Sequence, residues 1–351
     1  MAVQRIDINT FLELARQYPV LDVRSPAEYA HAHLPGAHSL PLFSDEERKT
    51  VGTLYKQQSR EQAIKAGLDF FGNRMRNMVE QTEKLLRQHP EGENSGNTPT
   101  VLIHCWRGGM RSAAVAWLLD LYGFNVYSLE GGYKAFRHWA LQQFEPSYPF
   151  AILGGYTGSG KTYVLQALQQ QHQPTIDLEG LAHHKGSAFG NIGMPPQPSQ
   201  EQFENKLALE LHQLPADKPF WVEDESQRIG DVNIPISLWK QMRKSPVYFL
   251  EIPFDERLQH LVKEYGALNK ERIVNAIIRI RKRLGGLETK EAIAALVEDD
   301  IESCFRILLR YYDRWYEKGL HNREQPHTLI HKIPCSTVTN NNTIPLLKHI
   351  I

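Results

Sequence analysis

Apolar runs alternate with amphipathic stretches along most of the chain. YPVLDV (18–23) is a short unbroken apolar run and predicts a buried strand. SPAEYAHAHLPGA follows, with Ser25 placed to cap a helix, Pro26 in its first turn, Glu28 completing a capping box, and Pro35 and Gly36 beyond its end. HSLPLF predicts a second strand. Residues 60–87 carry helical spacing with many Arg, Lys and Glu, and HPEGENSGNTP (89–99) has nothing to bury and predicts a surface loop. TVLIHC reads as a strand, RSAAVAWLLDLYG as a helix ended by Gly123, and VYSLEGGYKAF as a strand and turn. Strands and helices alternating at short intervals predict a small parallel α/β sheet over residues 1–143.

EPSYP leads into a second block of the same kind at 149–253. PFAILGG is a strand and KTYVLQALQQQ a helix. PTIDLEG, FWVEDES and VYFLEIP are further strands, each ending in acidic residues. A second mainly parallel sheet is predicted, with its ligand crevice at the strand C-termini. Residues 254–320 are almost wholly helical in pattern. Residues 321–351 are polar, with Pro326, Pro334 and three consecutive Asn, and are expected to form a loosely packed tail.

Composition narrows the function classes only a little. The 351 residues suffice for two domains, and 40 basic residues balance 40 acidic ones, so net charge argues neither for nor against nucleic acid. The three cysteines, Cys105, Cys304 and Cys335, are widely spaced and odd in number, which fits neither a disulfide framework nor a cysteine-based zinc site. The opening MAVQRIDINTFLELA lacks a long apolar core, and no run of 18 apolar residues exists. A cytoplasmic protein with neither leader nor membrane span is expected.

Two stretches concentrate the chemistry. HCWRGGMRS (104–112) sits between a strand and a helix. Gly108 and Gly109 allow a tight loop whose N–H groups turn inward as an anion nest, the following helix N-terminus adds partial positive charge, and Arg107 or Arg111 adds full charge. Such a cradle favours thiolate at Cys105 and makes it a nucleophile beside an oxyanion site. Gly155, Gly160, Lys161 and Thr162 form a complete Walker A pattern in its required strand-to-helix context, with Gly158 inside the loop. Its N–H groups wrap a di- or triphosphate, Lys161 reaches the outer oxygens, and Thr162 is placed to bind Mg²⁺.

Asp177, Glu179, Glu223, Asp224 and Glu225 follow strands ending on the same side. Asp224 is the acid assigned to Mg²⁺ beside Thr162. LAHHKGSAFG (181–190) is a basic, glycine-bearing loop suited to closing over a phosphate. His183, His184 and Lys185 are its candidate contacts, and zinc is not expected because the two histidines lack a third ligand at metal spacing. In KERIVNAIIRIRKRLGG, Ile273, Ile277, Ile280 and Leu284 fall on one helical face. Arg279, Arg281, Lys282 and Arg283 crowd the others, a pattern that suits RNA or DNA phosphates.

The first 140 residues resemble a rhodanese domain, in which the loop cysteine carries sulfur or selenium, and LDVRSPAEYAHAHLPGA matches its first strand and helix. Five residues separate Cys105 from Arg111 where most rhodanese loops have four. HCWRGGMRS therefore also fits the cysteine-phosphatase pattern. Asp22 and Arg24 are read as a fold-stabilising ion pair. HCWRGGMRS, LDLYG, LEGGYKAFR, LGGYTGSGKT, DLEGLAHHKGSAFG and the run ending in VEDES, taken together over about residues 8–320, resemble the tRNA 2-selenouridine synthase family. GTLYKQQSREQAIKAGL fits too, although Gln57, Gln58 and Ser59 stand where a glycine-bearing segment is more usual.

That resemblance implies a rhodanese-like parallel-sheet domain followed by a P-loop NTPase-like α/β domain with a helical C-terminal part. It implies a transferase acting on the wobble 2-thiouridine in a tRNA anticodon loop. A geranyl group passes from geranyl diphosphate to the C2 sulfur, and selenium from selenophosphate then replaces the geranylthio group. On this reading the P-loop and Lys161 hold the donor diphosphate, while Cys105 and Arg111 serve selenium transfer. A P-loop kinase leaves the cysteine loop idle, a cysteine phosphatase leaves the basic helix idle, and an RNA-binding scaffold leaves both loops idle.

Overall fold

The computed structural model describes residues 3–88, 98–215, 218–266 and 269–348. Most of the predicted loop at 89–99 therefore lies outside the described residues. The chain divides into two compact units, Met1–Gln143 and Phe144–Ile351.

In the first unit the elements run β1 (Gln4–Ile6), α1 (Ile8–Leu14), β2 (Val20–Asp22), α2 (Pro26–His31), β3 (His38–Ser39) and α3 (Asp45–Gln57). They continue with α4 (Arg60–Gly72), α5 (Met75–Gln88), β4 (Thr100–His104), α6 (Met110–Tyr122), β5 (Asn125–Leu129) and α7 (Gly132–Gln142). The strands form one parallel sheet in the order β1-β5-β4-β2-β3. β4 lies at its centre and is buried at all five positions, which is why its sequence is a continuous apolar run rather than an alternation. The capping box predicted for α2 is present, with Ser25 N–H donating to Glu28. α3 has no element predicted for it. None of its residues is fully buried, although Val51 packs against the core, so its apolar face is too small to betray it.

The second unit begins with β6 (Phe150–Gly155), α8 (Lys161–Gln170), β7 (Thr175–Ile176), α9 (Leu178–Ala182), α10 (Gln200–Gln213) and β8 (Phe220–Glu223). A two-stranded antiparallel ribbon, β9 (Arg228–Ile229) and β10 (Val232–Asn233), precedes α11 (Ile236–Lys244) and β11 (Val247–Glu251). The helical block is α12 (Phe254–Tyr265), α13 (Lys270–Leu284), α14 (Gly286–Val297) and α15 (Ile301–His321). The chain then adds α16 (Pro326–Leu329), β12 (Ile330–Pro334) and α17 (Thr343–Leu347).

The five-stranded parallel sheet of this unit has the order β12-β11-β6-β8-β7. The expected loose tail is thus corrected. β12 pairs along its whole length with β11, and Ile333 and Leu346 are buried in the core that also holds Leu153 and Val164. The tail reads as polar because Ile333 is the one fully buried residue of this edge strand, while His331, Lys332 and Pro334 are exposed. No helix among the described residues is long and apolar enough to cross a membrane.

Candidate functional site

The cysteine loop leaves the C-terminal end of β4 and enters α6. Gly108 takes φ +62° with its α-carbon so close to the turn after β5 that a Cβ would stand 2.6 Å from the Leu129 carbonyl oxygen. Only glycine fits there. The same turn holds the loop from the other side: Tyr133 N–H donates to the Cys105 carbonyl at 2.8 Å and Lys134 N–H to that of Trp106 at 3.0 Å. The LEGGYKAFR motif is therefore the floor of the cysteine loop.

Cys105 is buried, with Ser112 Oγ 3.2 Å from its sulfur and Oγ also 3.1 Å from the Gly109 carbonyl. Burial pushes the thiol up. Hydrogen bonds from the Ser112 hydroxyl and from the backbone N–H groups of Ser112 and Arg107, together with the Arg111 charge, outweigh that and leave it below the ordinary thiol range. Arg107 reaches the sulfur through its N–H, while its side chain is exposed. Arg111 donates to Glu28 at 2.7 Å, so its charge is partly neutralised. Asp22 and Arg24 form a buried pair, with the guanidinium 3.8 Å from the centre of the Tyr133 ring. They brace the floor and do not reach the sulfur loop by any hydrogen bond among the described residues.

The phosphate loop joins β6 to α8 at the C-terminal edge of the second sheet. A Cβ on Gly158, at φ +79°, would lie 2.9 Å from Leu261 and 3.0 Å from the Arg257 carbonyl oxygen, so α12 packs directly on the loop. Arg257 donates to the Thr157 carbonyl at 3.1 Å and is paired with Asp313 at 2.8 Å. Tyr316 accepts the Gly155 N–H at 3.2 Å and donates to Asp224 at 2.9 Å. Lys161 Nζ folds back to the Gly155 carbonyl at 3.0 Å, and Thr162 Oγ1 donates to Glu179 at 3.2 Å.

These contacts correct two expectations. Asp224 cannot offer a free carboxylate to Mg²⁺, because Arg323 takes one oxygen and Tyr316 the other. The acid beside Thr162 is Glu179, and a Mg²⁺ ion bound there would be held by those two side chains. His183 and His184 do not line the phosphate cleft. His183 caps α9 with Nδ1 facing the Pro196 carbonyl at 2.8 Å, and His184 is buried against Gly190 and Gly230. Lys185 does line the cleft, paired with Glu264. Among the described residues no cluster of three or more His, Cys, Asp or Glu is arranged to hold a metal ion.

The cleft itself measures about 770 Å³. Residues 158–162 form one wall, and Tyr311, Trp315 and Tyr316 of α15 stand in another. Burial pushes Glu223 and Glu225 well above the ordinary glutamate range. The neighbouring acids Asp177 and Glu179 add to this at Glu223, and Glu179 adds to it at Glu225, where Lys161 opposes it. Glu179, Ser112 and Tyr316 are absent from the predicted site. Ser112 stood in the quoted loop motif, and Glu179 among the strand-end acids. Nothing in the sequence marks Tyr316, some 160 residues beyond the loop it clamps.

Together the two sites define a rhodanese-like cysteine-loop domain joined in one chain to a P-loop domain of AAA type. A rhodanese-like domain model matches residues 8–138, and the model described as the tRNA 2-selenouridine synthase AAA domain matches residues 148–334. The tRNA 2-selenouridine synthase of Marinobacter nauticus is 35% identical to this chain over 91% of its length and 93% of the relative's. That of Pseudomonas putida strain W619 is 36% identical over 80% of each chain. The chain belongs to the tRNA 2-selenouridine synthase family.

Proposed function

We propose that this chain converts the wobble 2-thiouridine of tRNA into 2-selenouridine in two transfers. The relatives' name supports tRNA as the substrate. What supports the two-transfer reading is that the chain holds two unlike loops, a cysteine loop whose N–H groups face the sulfur and a Walker loop opening on a large cleft with aromatic walls.

In the first transfer the C2 sulfur attacks C1 of geranyl diphosphate, the C–O bond breaks, and diphosphate departs. The base loses its N3 proton. Lys161 and the loop N–H groups stabilise the charge that grows on the leaving oxygen. A Mg²⁺ ion at Thr162 and Glu179 would supply further charge neutralisation. In the second transfer selenium from selenophosphate attacks C2, and the geranylthio group leaves as the thiol. Water cleaves the phosphorus–selenium bond and releases phosphate. Cys105 assists as thiolate by attacking C2 first: it expels the geranylthio group and is then displaced by the incoming selenium, which regenerates the thiolate.

The test is mass spectrometry of wobble nucleosides after 2-thiouridine tRNA is treated with geranyl diphosphate and then selenophosphate. Cys105→Ala is expected to stop at the S-geranyl nucleoside. Lys161→Ala is expected to fail at geranylation yet to selenate tRNA supplied already geranylated. A Cys105→Ala protein that folds but leaves the thiouridine unmodified overturns the allocation of sites to steps.

A further inference from the structure

We infer that Trp315 is the platform on which the substrate's base stacks once it is drawn out of the anticodon loop, with Arg283 holding the adjoining phosphate. This rests on the tRNA reading above. Trp315 lies on α15 and is 44% exposed although it lines the cleft that contains the Walker loop. Its neighbour one turn earlier, Tyr311, is 4% exposed. A large indole left open inside a cleft invites a flat partner, because covering it gains apolar burial and stacking together.

The charges around the ring point to a nucleotide. The Arg283 guanidinium sits 5.3 Å and the Lys318 ammonium 5.5 Å from the indole centre. Arg283 lines the same cleft as Tyr311 and Trp315. It is the last cation of α13, whose Arg279, Arg281 and Lys282 are exposed, so positive charge runs along that helix and ends at the cleft wall. An RNA backbone following α13 therefore delivers a nucleotide to Trp315. A base and its phosphate use the indole face and the guanidinium at once. A hydrocarbon chain would have to strip hydrated cations from the ring and offer them nothing. The prenyl donor has another wall available, since Leu261 packs on Gly158 at the phosphate loop and Tyr265 and Tyr312 line the cleft with it. Extrusion of the base is needed because its C2 sulfur is otherwise enclosed in the stack.

The experiment uses the full chain and two anticodon stem-loop RNAs, one with 2-thiouridine and one abasic at the wobble position. Wild-type protein is expected to prefer the thiouridine RNA by about 5- to 150-fold, the range for one stacked base. Trp315→Ala is expected to erase that preference and Trp315→Phe to keep most of it. Geranyl diphosphate binding, measured without RNA, should change less than about twofold, which also shows that the variant is folded. Retention of the base preference in Trp315→Ala overturns the platform, as does a loss of geranyl diphosphate affinity in its place. Wild-type protein that binds neither RNA overturns the tRNA reading and the platform with it.

Discussion

Arg111 Nη1 lies 2.7 Å from Glu28 Oε2, and this pair sets how much positive charge the cysteine loop feels. Glu28 also caps α2, so one carboxylate ties the helix after β2 to the helix after β4. Replacing it by Gln keeps an oxygen for the cap but frees Arg111. Alkylation of Cys105 by iodoacetamide near neutral pH is expected to quicken about two- to fivefold in Glu28→Gln, the range for one partly exposed ion pair. Ser112→Ala is expected to slow it at least about tenfold, since a hydrogen bond to a charged sulfur is lost. Wild-type alkylation should reach half its maximal rate below the ordinary thiol range. Equal rates in all three proteins would remove these groups from control of the thiol.

The Asp224 carboxylate bridges Arg323 and Tyr316, and the guanidinium is buried while the carboxylate is mostly so. Asp224→Asn leaves that guanidinium uncompensated and is expected to cost about 3–5 kcal/mol of stability. Urea unfolding read from the second unit measures the loss. Mg²⁺ dependence of geranyl transfer should persist in whatever folded fraction remains, and should instead weaken in Glu179→Gln.

Glu223 and Glu225 hold their protons more tightly in the folded protein than in the unfolded chain. The folded state is therefore favoured below the ordinary glutamate range. It loses stability as pH rises from there through the raised folded values. Melting temperature without ligand should fall across that window, and Glu225→Gln should make the fall shallower, melting above wild type at the alkaline end. A melting curve that rises with pH, or that Glu225→Gln leaves unchanged, contradicts the assignment.

Arg279 and Arg281 are exposed on α13. If both meet phosphates, replacing them with Gln should make the plot of log affinity for tRNA against log salt shallower by about 1.4, at roughly 0.7 per single-strand phosphate contact. The loss should be uniform across RNA sequences. An unchanged slope in a salt titration returns these residues to the solvent.

Local pattern was enough to read the two parallel sheets, because β4, β6 and β11 are apolar runs bounded by turn residues and followed by periodic helices. The two loops were legible for the same reason, since their glycines and charges sit together in sequence. What escaped is assembled from afar. Asp224 looked like a free acid until Arg323, 99 positions on, closed over it. His183 and His184 read as phosphate contacts because polarity alone does not tell a cap or a packed ring from a contact. α3 and β12 bury too few residues to show a period.

β12 is the neighbour of β11, yet the entire helical block lies between them in the chain. During synthesis β11 emerges with one side bare, and it keeps that bare side until α12 to α16 have been made. A ribosome that stalls before α15 leaves a chain with a complete Walker sequence, no Tyr316 or Arg323 to brace it, and an open strand edge beside it. Such fragments carry an unpaired strand edge beside an unbraced loop and are prone to aggregate.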